Sequence, residues 1–225
     1  METIFDIGFE DGKDTAYYLH RGYKVVAVDA DPKLIEAGRV KFKDAIKDEQ
    51  LILLNLGISD SCEKKTFYVN TFKSEWSSFI ESWAARNDPN YYPISIECIT
   101  LGDLILKYGT PVYVKIDIEG NDILALESLL KSKQNKPIYI SVEAVDINWV
   151  QKLKELGYTQ FKLVNQAIIS KQNTSDWVFG FGCSGNFGED TPGKWVSADD
   201  IVQIYSYLHD KYNMSPDNWY DIHAK

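Results

Sequence analysis

Ile4-Phe5-Asp6-Ile7-Gly8-Phe9-Glu10-Asp11-Gly12 is the stretch on which the reading of this chain turns. An apolar run ends on Asp6, two glycines four residues apart follow, and a helix-like segment begins at Lys13. A strand that stops at such a turn lets a ligand press on bare backbone, since glycine has no Cβ to obstruct it. The helix beyond aims unpaired N–H groups and the positive end of its dipole at the same spot. The spacing is Asp-x-Gly-x-x-x-Gly, unlike the Gly-x-Gly-x-x-Gly that seats a pyrophosphate in nicotinamide and flavin enzymes. Asp6, Glu10 and Asp11 crowd the turn. An acidic turn repels phosphate and suits a ligand with a cationic head.

Outward from this turn, apolar runs alternate with helical periodicity. Strands are expected at Thr3–Ile7, Lys24–Ala30, Leu51–Asn55, Thr66–Asn70, Ser95–Ile99, Val112–Ile118, Ile138–Glu143 and Phe161–Val164. Helices are expected at Lys13–Arg21, Pro32–Asp48 (proline in the first turn), Asn121–Ser132, Asn148–Leu156 and Ser197–Asn213. Trp177–Phe181 is expected to return as a final antiparallel strand. The alternation predicts an α/β fold with a mainly parallel sheet covered by helices on both faces. No linker or internal repeat divides the chain, so residues 1–225 read as a single domain.

The net charge of -9 argues against a nucleic-acid partner, because phosphate binding needs a basic surface. No apolar run is long enough for a membrane helix. The 3 cysteines (Cys62, Cys98 and Cys183) are odd in number and widely spaced, as expected of reduced thiols in a cytoplasmic protein. With only 3 histidines, a histidine-rich metal centre is excluded.

In open parallel sheets ligands bind at the carboxyl ends of strands, where strand order reverses. Asp6 marks one such end. Asp29 marks a second, about 20 residues beyond the turn, where a carboxylate commonly grips the hydroxyls of a ribose. Asp29-Ala30-Asp31-Pro32 also reads as a helix cap, with Asp31 a competitor for the ribose role. The third end is Lys115-Ile-Asp-Ile-Glu-Gly120, where alternation places Asp117 and Glu119 on one side. Those two carboxylates also suit helix N-termini.

These segments, in this order, resemble the FkbM family of S-adenosylmethionine-dependent methyltransferases. The resemblance rests on Asp6-Ile-Gly-(x)3-Gly12, Val25-Val-Ala-Val-Asp-Ala-Asp-Pro32, Ile99-Thr-Leu-Gly-Asp-Leu104 and Val114-Lys-Ile-Asp-Ile-Glu-Gly120, and Ser184–Trp195 is similar to a tail found in some members. It implies the Rossmann-like class I methyltransferase fold, with seven strands and the last one antiparallel. It implies S-adenosyl-L-methionine as cofactor, with Asp6, Gly8 and Gly12 along its methionine part and Asp29 and Ala30 at the ribose. Gly57 and Ser59, after the third strand, are expected at the adenine, and Asp117 where the methyl group meets the acceptor. Glu10-Asp11 is more acidic than the family pattern, and Glu10 is expected either at the cofactor's amino group or facing water. The absence of a helix before the first strand is what a domain of a longer protein would show.

The expected reaction moves a methyl group to an acceptor hydroxyl, and the resemblance points to a carbohydrate or glycosylated natural product. An alcohol must lose its proton, so a base is useful; Asp117, Glu119 and Glu143 are the candidates, and although such acids also suit a hard cation such as magnesium, base catalysis without a metal is the expectation. His209 is the one histidine that could serve as an alternative base, though it reads first as the partner of a helix C-terminus, as does His20, and His223 reads as part of the tail. Phe72–Tyr92, with Trp76 and Trp83, reads either as a lid over the acceptor or as a satellite apolar cluster. Within it, Asn87-Asp-Pro-Asn-Tyr-Tyr92 is similar to the motif of amino-group DNA methyltransferases but stands at the wrong strand. A non-catalytic cofactor-binding sensor is the alternative from another class, and a dehydrogenase is disfavoured by the glycine spacing.

Overall fold

The computed structural model describes residues 1–86, 90–212 and 219–225. Its strands are β1 (Thr3–Ile7), β2 (Lys24–Asp29), β3 (Leu51–Asn55), β4 (Gly57–Ile58), β5 (Lys64–Asn70), β6 (Tyr91–Ile99), β7 (Tyr113–Ile116), β8 (Tyr139–Glu143), β9 (Phe161–Asn165) and β10 (Tyr220–Ala224). Its helices are α1 (Lys13–His20), α2 (Pro32–Lys41), α3 (Lys43–Lys47), α4 (Glu81–Ala85), α5 (Leu101–Tyr108), α6 (Asp122–Ser132), α7 (Trp149–Glu155) and α8 (Ala198–Tyr212).

Seven strands form one sheet in the order β3-β2-β1-β7-β8-β10-β9. All run parallel except β10, which is antiparallel to both neighbours. The class I methyltransferase fold is thereby present as expected. Strand order reverses between β1 and β7, so a crevice opens beside the Gly8 turn. A smaller sheet, β4-β6-β5, stands beside the tip of β3.

The two faces of the large sheet differ. On one, Phe5, Val26, Val114, Ile140 and Ile222 are fully or almost fully buried in a continuous apolar layer with α5, α6 and α7. The other carries a polar row in register across five strands: Asp6, Lys115, Ser141, His223 and Lys162. Tyr17, Tyr18 and Phe187 seal that row with aromatic contacts around Tyr113.

Several expectations are corrected. Trp177–Phe181 forms no strand; the antiparallel position belongs to β10, and Trp177 and Phe179 pack instead on Tyr17. His223 is not in a loose tail but inside β10, 1% exposed. The long second helix breaks at Phe42 (φ -109°, ψ 25°), whose ring turns edge-on to Phe9. α5 goes unmarked by periodicity, yet Thr100 caps it by accepting a hydrogen bond from the Asp103 N–H at 3.0 Å. β7 ends at Ile116, so Asp117 and Glu119 reach the crevice through a turn and not through strand alternation. In that turn Glu119 takes a left-handed φ of 51°. Asn87, Asp88, Pro89 and Asn213 lie outside the described residues. No helix among the described residues is long and apolar enough to cross a membrane.

Candidate active site

The turn after β1 is held by β2: the Gly8 and Phe9 N–H groups both donate to the Val28 carbonyl, at 3.0 and 3.1 Å. Gly8 has φ +93°, and a Cβ there would lie 1.9 Å from the Asp117 carbonyl oxygen. Only glycine lets the β1 and β7 tips approach this closely. Gly8→Ala should therefore cost about 2 kcal/mol or more in backbone strain and clash, read as an unfolding midpoint roughly 4–8 °C lower.

Beyond Gly8, acid side chains satisfy the loop's own amides. The Glu10 N–H donates to Asp29 Oδ2 at 2.8 Å, Asp11 N–H to Glu10 Oε2 at 2.7 Å, and Lys13 N–H to Asp11 Oδ1 at 3.1 Å. A loop wired in this way offers its donors to carboxylates and leaves none of these three for a phosphate. Asp29 also accepts from the Asp31 N–H at 2.8 Å, while Asp31 caps α2 by accepting from Lys33 N–H at 2.8 Å. Of the two aspartates it is Asp31 that caps α2, while Asp29 lines the cavity.

Under the turn, Lys115 is almost fully buried with its Nζ 3.2 Å from Asp14, 3.5 Å from Asp117 and 3.7 Å from Asp6. It also donates to the Gly8 carbonyl at 3.3 Å. Burial alone would depress its ammonium, but the three aspartates outweigh that and hold it well raised. Asp6 accepts from Thr15 Oγ at 2.6 Å, and burial lifts its carboxyl to about 6 against the pull of Lys115. Lys115 and Asp14 were not among the residues predicted for the site. A lysine in the middle of Val112-Tyr-Val-Lys-Ile116 was the available signal, because a charge is rarely buried without a task.

A cavity of about 720 Å³ runs along these strand tips, within the range of small-molecule sites. Of the predicted residues, Gly8, Glu10, Asp29, Ala30, Gly57, Asp117, Glu119 and Glu143 line it. Asp6, Gly12 and Ser59 stand behind the wall. Asp6 and Ser59 are fully buried, and Gly12 (φ +74°) lets the rings of Phe9 and Phe42 close against the backbone. Leu34, Leu56, Ile58, Phe67 and Phe79 form an apolar slot beside Ala30 and Gly57. A Cβ on Gly57 would meet the Phe79 ring at 2.3 Å.

At the other end, Arg86 lies 5.5 Å from the Trp76 ring and 5.6 Å from Trp83, and its guanidinium donates to Glu119. Ser78 Oγ donates to the Glu119 carbonyl at 2.7 Å. The described part of Phe72–Tyr92 is therefore pinned over the β7 turn, with Trp76 and Phe79 facing the cavity. Among the described residues, no group of three or more His, Cys, Asp or Glu is arranged to hold a metal ion. His209 lies at the cavity edge, with Nδ1 3.9 Å from Asp210.

Burial raises three carboxyls here: Asp29 to about 7, Asp122 to about 7, and Glu143 to about 8 with help from Asp117 and Asp122. A raised carboxyl favours the folded state while protonated, and that advantage is lost as pH climbs from the unfolded to the folded value. Buried His223, depressed from 6.5 to about 3, acts oppositely, but its contribution is complete above 6.5. The free protein should therefore melt at a lower temperature at pH 8.5 than at pH 6.5, by roughly 2–4 °C for each kcal/mol lost. Calorimetric scans at the two values check this.

The profile of the Methyltransferase FkbM domain matches residues 6–161, which spans β1 to the start of β9. The chain belongs to the FkbM methyltransferase family. No curated protein matches it. Solved structures similar to this FkbM methyltransferase include a precorrin-6y C5,15-methyltransferase from Geobacter metallireducens GS-15, at 12% identity over 100% of this chain and 79% of that one, TM-score 0.41. A putative rRNA-methylase from Clostridium thermocellum is 12% identical, with 100% and 86% covered and a TM-score of 0.42. An O-methyltransferase from Bacillus cereus in complex with SAH is 11% identical, with 99% and 73% covered and a TM-score of 0.38. Membership makes this protein an S-adenosylmethionine-dependent methyltransferase.

Proposed function

We propose that this FkbM methyltransferase methylates an acceptor hydroxyl, carried by a carbohydrate or a glycosylated natural product. One observation carries the reading: a single cavity joins the Gly8 turn and Asp29 at one end to a half-buried carboxyl at the other, Glu143. Bound S-adenosylmethionine supplies an electrophilic methyl group on a sulfonium centre.

The residues suit such a ligand. The Gly8 cradle admits no Cβ, and the acidic turn complements a cationic head. Asp29, oriented by two backbone N–H donors, keeps lone pairs for the ribose hydroxyls. Ala30, Gly57 and the slot walled by Phe67 and Phe79 suit the flat adenine. Glu10 borders the methionine end, while Asp6, Gly12 and Ser59 shape the walls from behind. Asp117 stands between this half and the acceptor half.

For the proton of the acceptor hydroxyl, the three candidate carboxylates separate. Glu119 is committed to Arg86, and Asp117 is paired with Lys115. Glu143 has neither commitment and titrates close to neutrality, the range in which a general base works best. Trp76 gives the acceptor end aromatic surface of the kind that sugar rings pack against.

Calorimetry should show binding of S-adenosylmethionine and S-adenosylhomocysteine and none of nicotinamide dinucleotides. Asp29→Ala should weaken cofactor binding more than about tenfold, or 1.4 kcal/mol, and a change within about twofold would remove Asp29 from the ribose. Labelled methyl donor, screened against methyl-free glycans and phenols with and without chelator, tests the acceptor. Cofactor binding with no acceptor methylated would leave a cofactor sensor in place of the enzyme.

A further inference from the structure

Asp221 takes no part in the chemistry above and, among the described residues, has no hydrogen-bond or ion-pair partner. It is the second residue of β10 and only 7% exposed. Antiparallel pairing sets it directly opposite Glu143 of β8. Side chains so placed share one face with Cβ atoms about 4.5–5.5 Å apart. Both carboxyls line the cavity, with Asp117 beside them. Among the described residues neither takes a hydrogen bond or an ion pair. The cations near them are committed elsewhere: Lys115 to Asp6, Asp14 and Asp117, and Arg86 to Glu119.

Two like charges facing each other across adjacent strands repel, and an unpaired buried charge is costly. Among the described residues Lys115 and Arg86 offset the repulsion only in part, since each is ion-paired with another carboxylate. Burial, together with the charges of Asp117 and Glu143, pushes the Asp221 carboxyl well above its ordinary value. The wider lining points the same way, with 9 carboxylates against 4 Lys or Arg side chains among the described residues. That imbalance disfavours an anionic acceptor.

We propose that Asp221 and Glu143, flanked by Asp117, form a subsite for a protonated amine on the acceptor, so that the acceptor is an amino alcohol and, as a carbohydrate, an amino sugar. The proposal rests on the hydroxyl-methylation reading and narrows its substrate class. An ammonium held between the two carboxylates lets both stay ionised. Glu143 is then ready to take the proton of a neighbouring hydroxyl. The hydroxyl oxygen forms the new O–CH₃ bond while the S–CH₃ bond breaks, its electron pair staying on sulfur. Asp221 holds the ammonium and is a positioning residue for the proton transfer.

The test is binding and turnover of matched sugars by the full chain: glucosamine, N-acetylglucosamine and glucose, the corresponding galactose set, and chitosan against chitin oligosaccharides. Binding is measured in the presence of S-adenosylhomocysteine. At least one amino form should bind about tenfold or more tighter than its N-acetylated and hydroxyl counterparts. Asp221→Asn should erase that preference while leaving S-adenosylhomocysteine affinity unchanged. Acetylation of the ligand removes the same charge without altering the protein, so the comparison stands even where the variant folds poorly. Equal binding of amino and neutral sugars, no binding of any amino sugar, or a preference that survives Asp221→Asn would each overturn the proposal. Failure to bind S-adenosylhomocysteine would instead strike the cofactor site itself, and methylation of neutral sugars without amine preference would leave hydroxyl methylation standing.

Discussion

Glu143→Gln should lower turnover by about 10²- to 10⁴-fold, the usual worth of a positioned general base. Glutamine keeps the size and the place on β8 but cannot accept a proton. The fold should survive, because the substitution removes a half-buried acid whose carboxyl desolvation already holds up to about 8. Thermal stability above neutral pH should even rise, since the penalty of ionising that group is gone. Cofactor affinity should stay within about twofold, as Glu143 lies at the acceptor end. In the parent enzyme kcat/KM should climb with pH and level off above about 8, the value for Glu143. The variant should lose that limb. A loss of less than about tenfold would move the base to Asp117, despite its pairing with Lys115, or to water.

Lys115→Met should be the most destabilising single change near the site. Methionine fills the space but leaves Asp6, Asp14 and Asp117 without the ammonium that now lies 3.7, 3.2 and 3.5 Å from them. Removing one partner of a buried ion pair costs about 3–5 kcal/mol, which at this chain length is roughly 6–20 °C in the unfolding midpoint. The deficit should shrink in acid. With the lysine gone, protonation of the carboxylates relieves their repulsion, and Asp6 already titrates near 6 with the lysine present. Melting curves of parent and variant should therefore converge as pH falls from 8 towards 5. Adding Asp6→Asn should restore part of the loss, an interaction visible in a double-mutant cycle. A variant as stable as the parent at pH 8 would show that Lys115 is not the keystone of this cluster.

The legible parts of the site were those whose geometry is local. Gly8 needs φ +93°, and a glycine between an apolar strand and a helix-like segment announces such a turn. Asp31 before Pro32 announces a cap, which freed Asp29 for the cavity. Asp117 follows an apolar strand and so had to emerge at its tip. Asp221 was invisible for the opposite reason. Tyr220-Asp-Ile-His-Ala224 has a polar residue at every second position, and nothing within it says that Asp221 will face Glu143, 78 positions earlier. Trp177-Val-Phe-Gly-Phe181 looked the better strand, yet Val178 and Phe181 are 74% and 79% exposed. Its aromatic residues serve α1 and the cavity mouth instead.

By itself the sequence determined the α/β alternation, the glycine turn, the caps and the strand tips that carry acid. These follow from periodicity, from backbone dihedrals and from hydrogen bonds spanning a few residues. Only the tertiary structure decided which strand fills the antiparallel slot, which aspartates share Lys115, and which two carboxyls stand face to face. Those outcomes depend on register between strands far apart in the chain, where a shift of one residue turns every side chain to the opposite face.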